Sequence, residues 1–416
     1  MTDAPAQPST AFALLRQRDY VRYLGMRLAG MIGVQIQSVA MGWQIYSLAR
    51  HEGTIEESAL QLGWLGLASF LPLFLLALPA GWAADRLERR KVAMACLIGE
   101  CTTIAGLTWA TSAGVVSVPM LIGVAVIFGA SRAFFHPTTT AMSPMLVPRA
   151  LLPRAIAWNS LAWQSGGVIG PALGGTLVAI SPLTAYCTGL ALYAVAMFCL
   201  ITIRTNTRPQ PSGASPLTLV KEGLVYVWRQ KIVFGAISLD LFAVLLGGAT
   251  ALLPVFAKDV LHVGPEGFGI LRASPAIGAS TVALFLAANP IRSHAGKFMF
   301  SGVAVFGAAT LVFGLSKIFW LSSAALIVLG GADMLSVFVR QTLVQLVTPD
   351  HMRGRVAAVS TLFISASNEL GEFESGVAAR FLGPIGAAIF GGIGALLVTG
   401  VWSQLFPALR KADKLE

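Results

Sequence analysis

Long apolar runs recur along the whole chain and are separated by short polar segments. Each run is about 20 residues long, which is enough for a helix to cross a hydrocarbon layer of about 30 Å. Inside that layer only helices and closed barrels satisfy their own backbone polar groups. The short alternating segments of a barrel do not occur in this sequence. The pattern therefore predicts an all-α polytopic membrane protein.

Twelve runs can be distinguished, with ends defined to within a few residues. The last two are joined through Leu382-Gly383-Pro384, which leaves almost no room for a loop. The predicted transmembrane helices, called spans one to twelve below, cover residues 22–48, 59–84, 91–112, 116–140, 154–180, 183–203, 231–257, 266–289, 297–316, 318–345, 355–380 and 383–407.

A polar linker between spans six and seven divides the chain into two sets of six spans. The first half of the linker is rich in Pro and Ser, and its second half, Leu217 to Arg229, is compatible with a short helix on the membrane surface. The sequence therefore predicts an N-terminal six-helix bundle over residues 1–205, a cytoplasmic linker over 206–230 and a C-terminal six-helix bundle over 231–416.

Composition agrees with a membrane location, because 56% of the residues are hydrophobic and only 12% are charged. Soluble domains carry about 25% charged residues. The net charge is +10, but most of the 29 Lys and Arg residues share one side of the membrane if the N-terminus is cytoplasmic. This positive-inside bias predicts a multi-pass protein of the cell (inner) membrane with both termini in the cytoplasm. The charge therefore requires no nucleic-acid partner.

The loop between spans two and three reads GWAADRLERRKV. It closely resembles the signature loop of the major facilitator superfamily. The resemblance implies two six-helix bundles around a central cavity, and a loop that clamps span two against span eleven in one state of the cycle. An ordinary basic cytoplasmic loop is the alternative. The residues that carry the pattern are Gly81, Asp85, Arg86, Arg89, Arg90 and Lys91.

Span five contains a second pattern of small residues around a proline. It resembles the motif of superfamily antiporters, although Ala157 stands where that motif has a further glycine. The resemblance favours export over import, whereas a generic packing interface of small residues is the alternative. The matching residues are Gly166, Gly170, Pro171, Gly174 and Gly175.

The segments Gly129–Pro148 and Thr348–Val356 resemble the branch that includes enterobactin exporters and macrolide-efflux-like proteins. This resemblance implies a secondary active transporter that exports a siderophore, a drug-like molecule or another metabolite by proton antiport with alternating access. An uptake symporter or a lysophospholipid-type flippase of the same fold is the alternative. We expect a monomer whose partners are a small-molecule substrate, protons and the lipid bilayer. The sequence has no HExxH, GxSxG or P-loop motif, so we expect neither an enzyme nor a cofactor or metal site.

Ionisable side chains inside the spans are costly, at about 2.5–3.5 kcal/mol each at the centre, and usually line an aqueous path. Four carboxyl groups are proton-coupling candidates: Glu369, Glu372, Asp240 and Asp333. Six further side chains are substrate-cavity candidates: Arg27, Gln35, Arg132, Gln164, Arg340 and Asn368.

The stretch ISASNELGEFES in span eleven is the densest group of carboxyls. Ser365, Asn368, Glu369 and Glu372 share one helical face, whereas Glu374 points about 140° away from Glu369 at 100° per residue. Two carboxyls buried side by side favour holding a proton near neutral pH, as a proton-driven exchanger requires. The alternative is a static ion-pair network that locks spans ten and eleven. For Glu374 a packing or outer-surface role is favoured.

Other charged positions leave similar choices open. Asp333 and Arg340 lie on one face of span ten, and Asp240 either lines the cavity or pairs with a neighbouring helix. Arg27 lies near the cytoplasmic end of span one, so it either faces the cavity or extends its charge to the membrane surface. His136, next to Pro137, is interpreted as a satisfied histidine near a helix end rather than a proton relay.

Overall fold

A computed structural model of the protein describes residues 14, 16–208, 216–289, 291, 293–349 and 352–412, apart from the side chains of residues 149, 216–220, 358, 361 and 365. Every regular element within these ranges is a helix. The all-α prediction is confirmed, and all twelve predicted spans correspond to helical segments.

The N-terminal half forms spans one to six from seven helices. Span two is built from α2 and α3, which are separated by a break at Leu76 that follows Pro72. The helices are α1 (Arg18–Glu52), α2 (Ile55–Leu75), α3 (Ala77–Arg86), α4 (Arg89–Ser112), α5 (Val118–Met142), α6 (Leu152–Ile180) and α7 (Pro182–Thr202).

The C-terminal half begins with α8, which confirms the short helix expected in the second half of the linker. Span seven is irregular, because a 3₁₀ turn and a π turn flank α10. The helices are α8 (Pro216–Arg229), α9 (Lys231–Leu246), α10 (Leu253–Val255), α11 (Gly264–Ala288), α12 (Ala295–Leu315), α13 (Phe319–Val347), α14 (Arg353–Leu405) and α15 (Pro407–Arg410).

Helix α14 contains both spans eleven and twelve. The break between them is Gly383, whose φ of 72° and ψ of 165° are non-helical. A residue without a Cβ adopts this conformation at little cost, and Pro384 then starts the next helical segment. Nine described helical segments, α14 among them, are long and apolar enough to cross a membrane. Three further spans bring the number to twelve. They are span one (α1) and span five (α6), which are more polar, and span twelve, which is the second half of α14.

Two bundles pack against each other through a small number of helices. Within the first bundle α1 packs on α6 and α7, and within the second α13 packs on α11 and α12. Contacts between the bundles run mainly through α2 with α14 and α6 with α11. At these crossings Gly63 meets Gly376 and Gly175 meets Gly269, so the backbones approach closely. The predicted domain boundary stays a prediction, because residues 209–215 lie outside the described residues.

The two ends of the molecule differ. We call the end that holds the start of α1 the proximal end, and the opposite end the distal end. The distal end is closed by contacts of α1 with α10 and α11 and of α6 with α11. At the proximal end α3 packs on α5 and touches α8, without an extensive contact with α14 among the described residues. Among the described residues the two bundles are therefore joined less closely at the proximal end than at the distal end. The region between them at the proximal end is called the open space below.

Candidate functional site

Glu369 forms an ion pair that joins the two bundles. The Nη1 atom of Arg132, on α5, lies 3.2 Å from Oε1 of Glu369, on α14. The Glu369 side chain is 15% exposed and that of Arg132 is 40% exposed. Each residue lies near the middle of its span, so the pair borders the open space between the bundles about half-way across the membrane.

Glu372 lies one helical turn after Glu369 and has a different arginine beside it. The Nη2 atom of Arg272, on α11, is 3.9 Å from Oε1 of Glu372, and Arg272 also donates a hydrogen bond of 3.4 Å to the carbonyl oxygen of Thr250. The Glu372 side chain packs against Gly66 of α2, where a larger residue would compete for the same volume. Glu372 is therefore held at the crossing of α2 and α14.

The positions on span eleven follow the helical spacing. Asn368 precedes Glu372 by one turn and its side chain is exposed, so it borders the open space. Glu374 is half-buried, and its described polar contact is the hydroxyl of Ser375 at 3.5 Å. The side chain of Ser365 lies outside the described residues. The arginines beside Glu369 and Glu372 come from α5 and α11, whereas the network considered from the sequence involved span ten.

A buried ion pair lies inside the second bundle. The Nη2 atom of Arg340, on α13, is 3.3 Å from Oδ2 of Asp240, on α9, and the two side chains are 2% and 7% exposed. Asp333, two turns earlier on α13, interacts electrostatically with both groups. The structure thus places two proton-coupling candidates around Arg340, which is buried among helices rather than exposed to the open space. Asp240 therefore pairs α9 with α13.

Arg27 points into the first bundle and not toward the membrane surface. Its Nε donates to Oδ1 of Asn159 at 3.2 Å, and its Nη1 donates to Oγ1 of Thr139 at 3.1 Å. The guanidinium also lies 5.2 Å from the ring centroid of Trp163, and the edge of His136 meets the same ring at 5.7 Å. A cation, an amide and an exposed indole are thus collected on α1 and α6.

Three members of this cluster were missed from the sequence. Asn159 and Trp163 lie four residues apart on α6 and therefore on one helical face, and Thr139 faces them from α5. The available signal was an amide and an indole at helical spacing within an apolar run. That signal does not tell which helix supplies the partner.

The comparisons with known proteins identify the family of the chain. A family model described as "transmembrane secretion effector", which is part of the major facilitator superfamily, matches residues 9–416. The chain belongs to this superfamily of membrane transporters. The family prediction is thereby confirmed.

Two relatives within the superfamily carry functional names. The chain is 27% identical over 407 residues to the multidrug efflux pump Tap of Mycobacterium tuberculosis, which covers 93% of each chain. It is 26% identical over 377 residues to the enterobactin exporter EntS of Citrobacter koseri, which covers 88% of this chain and 83% of that one. The predicted similarity to exporters of this branch is confirmed.

A solved structure supports the superfamily fold. The crystal structure of a D-xylose-proton symporter superimposes with a TM-score of 0.73 at 13% identity, covering 96% of this chain and 99% of that one. The twelve-helix fold in two six-helix bundles is thereby confirmed.

The loop that resembles the superfamily signature is bound to its own bundle. Arg89 donates from Nη1 to the carbonyl oxygen of Ala141 at 2.8 Å, and Arg90 donates from Nη1 to that of Ile203 at 2.6 Å. Lys91 pairs with Glu88 at 3.2 Å. A side chain at Gly81 would meet no neighbouring atom within 4 Å. Asp85 and Arg86 complete the loop at the proximal end, where the described residues show no extensive contact between α3 and α14.

The small residues of span five serve two interfaces of the superfamily fold. Gly166, Gly170 and Gly174 pack successively against Met31, Gln35 and Val39 of α1. Gly175 instead meets Gly269 of the other bundle, and Pro171 is buried beside it. Gln35, a predicted cavity residue, therefore contacts α6, and Gln164 is half-buried on the same helix.

Proposed function

We propose that the protein exports a small organic molecule from the cytoplasm in exchange for protons that move inward. The two named relatives, an efflux pump and an exporter, support the direction of transport. The proximal end would face the cytoplasm of a cell (inner) membrane, so the conformation described here would be open to the cytoplasmic substrate. Transport would then require the distal end to open while the proximal end closes.

The observation that carries this proposal is the pair between Arg132 and Glu369, which joins the two bundles at 3.2 Å near the middle of the membrane. Two opposite charges about 4 Å apart attract each other by about 1 to 4 kcal/mol at the dielectric constants found between water and a protein surface. A proton on Glu369 removes this attraction. Protonation would therefore change the relative stability of two arrangements of the bundles, which is the coupling that an exchanger needs.

Glu372 would provide a second step of the same kind. Its carboxyl lies between the like charge of Glu369 and the guanidinium of Arg272. A substrate that interacts with Arg272 would weaken the electrostatic attraction between this arginine and Glu372. It would thereby favour protonation of Glu372. Asp240 and Asp333, with one arginine between them, form a further proton site in the proposal.

The open space suggests an amphipathic or anionic substrate. Arg132 and Arg272 offer positive charge, and the exposed ring of Trp163 next to Arg27 offers an apolar surface with a cation beside it. Asn368 and Gln164 could add hydrogen bonds. Gln35 and Arg340 would act by helix packing, because the first contacts α6 and the second is buried against Asp240.

The decisive experiment measures proton flux in inverted vesicles with an imposed pH gradient while siderophores and drug-like compounds are added. Wild type is compared with the double variant Glu369→Gln/Glu372→Gln. Glu374→Gln serves as the matched control, because it removes a carboxyl of the same helix on a different face. We expect a substrate to dissipate the gradient in wild type and in the control, and the double variant to bind substrate without moving protons.

Two other results would redirect the proposal. If the double variant couples normally, Glu369 and Glu372 are structural, and Asp240 and Asp333 become the sites to test. If no substrate moves protons in any variant, proton antiport is wrong, and uptake or lipid flipping by the same fold takes its place.

A further inference from the structure

Glu100 is a buried carboxyl that the proposed exchange does not yet use. It lies half-way along α4, inside the first bundle, and is 4% exposed. About 16 Å of helix separate it from the start of α4 at 1.5 Å per residue. Its Oε2 atom has no hydrogen-bond partner among the described residues. A carboxyl in this position requires a physical explanation, because an unpartnered buried polar group is costly.

The hydroxyl group next to Glu100 already donates its proton to another residue. The polar group beside its carboxyl is the hydroxyl of Tyr193, on α7. That hydroxyl donates its own proton to Oε1 of Gln37, on α1, at 2.9 Å. The hydroxyl proton of Tyr193 is thus engaged by Gln37, and Oε2 of Glu100 receives no hydrogen bond from the described residues. Burial without such a donor favours the neutral carboxylic acid over the carboxylate.

The charged and titratable groups around Glu100 also favour its neutral form. The groups that face it are Cys96 and Cys101 of its own helix, Tyr193 of α7 and Arg132 of α5. Arg132 is the cation of this set, and its guanidinium is directed to Glu369 of the other bundle. An ionised Glu100 would thus be buried without a contacting cation, which is strongly unfavourable inside a membrane.

We propose that Glu100 is an additional proton-binding residue of the transport cycle, linked to Glu369 through Arg132. Glu100 holds its proton while Arg132 pairs with Glu369. When the bundles separate at the depth of Arg132, this arginine stays on α5 and loses Glu369 as its partner. Helix α4, which packs against α5, carries the acid Glu100. The O–H bond of the Glu100 carboxyl then breaks, the proton passes to water in the open space, and the carboxylate that remains is stabilised by Arg132. The inference rests on the proton exchange proposed above.

The first test does not depend on transport. Infrared difference spectra of the purified, substrate-free protein between acidic and alkaline pH report each carboxylic acid that loses its proton. We expect one carboxylic C=O band of wild type to be missing in Glu100→Gln and present in Glu374→Gln. In Arg132→Gln the titration of the same band should differ from that of wild type, because a neighbouring positive charge has been removed. A spectrum of Glu100→Gln that matches wild type would overturn the inference.

The second test separates this inference from the proposed function. Glutamine has nearly the shape of the protonated acid and carries no charge, so the variant Glu100→Gln should fold. We expect it to bind substrate and to lose at least about tenfold of the substrate-driven proton flux, a loss that a merely structural role would not produce. If wild type exchanges protons and Glu100→Gln exchanges them equally well, the inference about Glu100 is wrong, while the proposed antiport stands. If wild type moves no protons, the proposed antiport fails, and the infrared titration still decides whether Glu100 binds a proton.

Discussion

Arg50 and Asp259 belong to different bundles, and Nη2 of Arg50 lies 3.1 Å from Oδ1 of Asp259 at the distal end. The hydroxyl of Tyr46 donates to the other carboxylate oxygen. The ammonium group of Lys258 lies about 6 Å from the rings of Trp43 and Tyr46. Asp259 therefore receives two donors from α1, and this cluster is a charged closure between spans one and seven.

The first prediction concerns this closure. Asp259→Asn removes the charge that both donors share, and hydrogen bonds to charged groups contribute about 1.5 to 3 kcal/mol. We expect the conformation that is closed at the distal end to lose population by about tenfold or more. Distances between spin labels on the distal ends of the two bundles, measured by double electron–electron resonance, should lengthen.

A second ion pair at the distal end provides the control. Arg380 and Glu57 lie 3.4 Å apart, with side chains 41% and 49% exposed. Solvent and salt screen exposed pairs strongly, so Glu57→Gln should leave the label distances nearly unchanged. Equal effects of Glu57→Gln and Asp259→Asn would contradict a special role for Asp259.

The second prediction concerns the crossing of α6 and α11. A Cβ at position 175 would collide with the backbone of Gly269 and with the carbonyl oxygen of Pro265. Because backbone atoms cannot move aside as a flexible side chain can, Gly175→Ala should prevent distal closure and lower the transport rate by about tenfold or more.

Gly167, on the same helix, has open space where its Cβ would lie. Gly167→Ala should transport like wild type, which controls for a general effect of alanine in α6. Normal transport by Gly175→Ala would mean that the close approach to Gly269 is not needed in the cycle.

The third prediction concerns the buried pair of Asp240 and Arg340. Removing one member of such a pair leaves an uncompensated charge and typically costs about 3–5 kcal/mol. Arg340→Met should therefore lower the midpoint of thermal unfolding in detergent. In Asp240→Asn the nearby Asp333 can still face Arg340, so we expect a smaller loss. A larger loss in Asp240→Asn than in Arg340→Met would contradict this assignment.

The fourth prediction concerns Arg27. Its planar guanidinium donates to Asn159 and Thr139 in different directions, and lysine keeps the charge without this fork. Arg27→Lys should raise the KM for substrate by about tenfold, since Asn159 and Trp163 would lose their fixed orientation. Arg204→Lys, at an exposed arginine after α7, is a matched exchange that should leave the KM unchanged. An unaltered KM in Arg27→Lys would place this cluster outside the substrate path.

Local features of the fold could be predicted because they depend on nearby residues. The spans follow from the length of apolar runs, and the turn at Gly383 follows from a Gly-Pro pair between two such runs. The separation of Glu374 from Glu369 follows from helical spacing alone. None of these inferences requires knowledge of which helices are neighbours.

The partners of the charged groups could not be predicted, because they depend on the arrangement of the bundles. Arg132 and Glu369 are 237 residues apart in sequence, and the spacing along either helix contains no information about their contact. The sequence also leaves open whether Arg27 reaches the membrane surface, because its position depends on the hydrogen-bond acceptors on α5 and α6. Arg340 was placed in the cavity, although the structure buries it against Asp240.

The single-residue turn at Gly383 has a consequence for the assembly of the protein. Spans eleven and twelve have almost no connecting loop, so neither can settle across the bilayer while the other remains in water. The two spans are expected to enter the membrane together as one helical hairpin during synthesis. The residues of α14 that carry Glu369 and Glu372 would therefore reach their final depth only after span twelve has emerged from the ribosome.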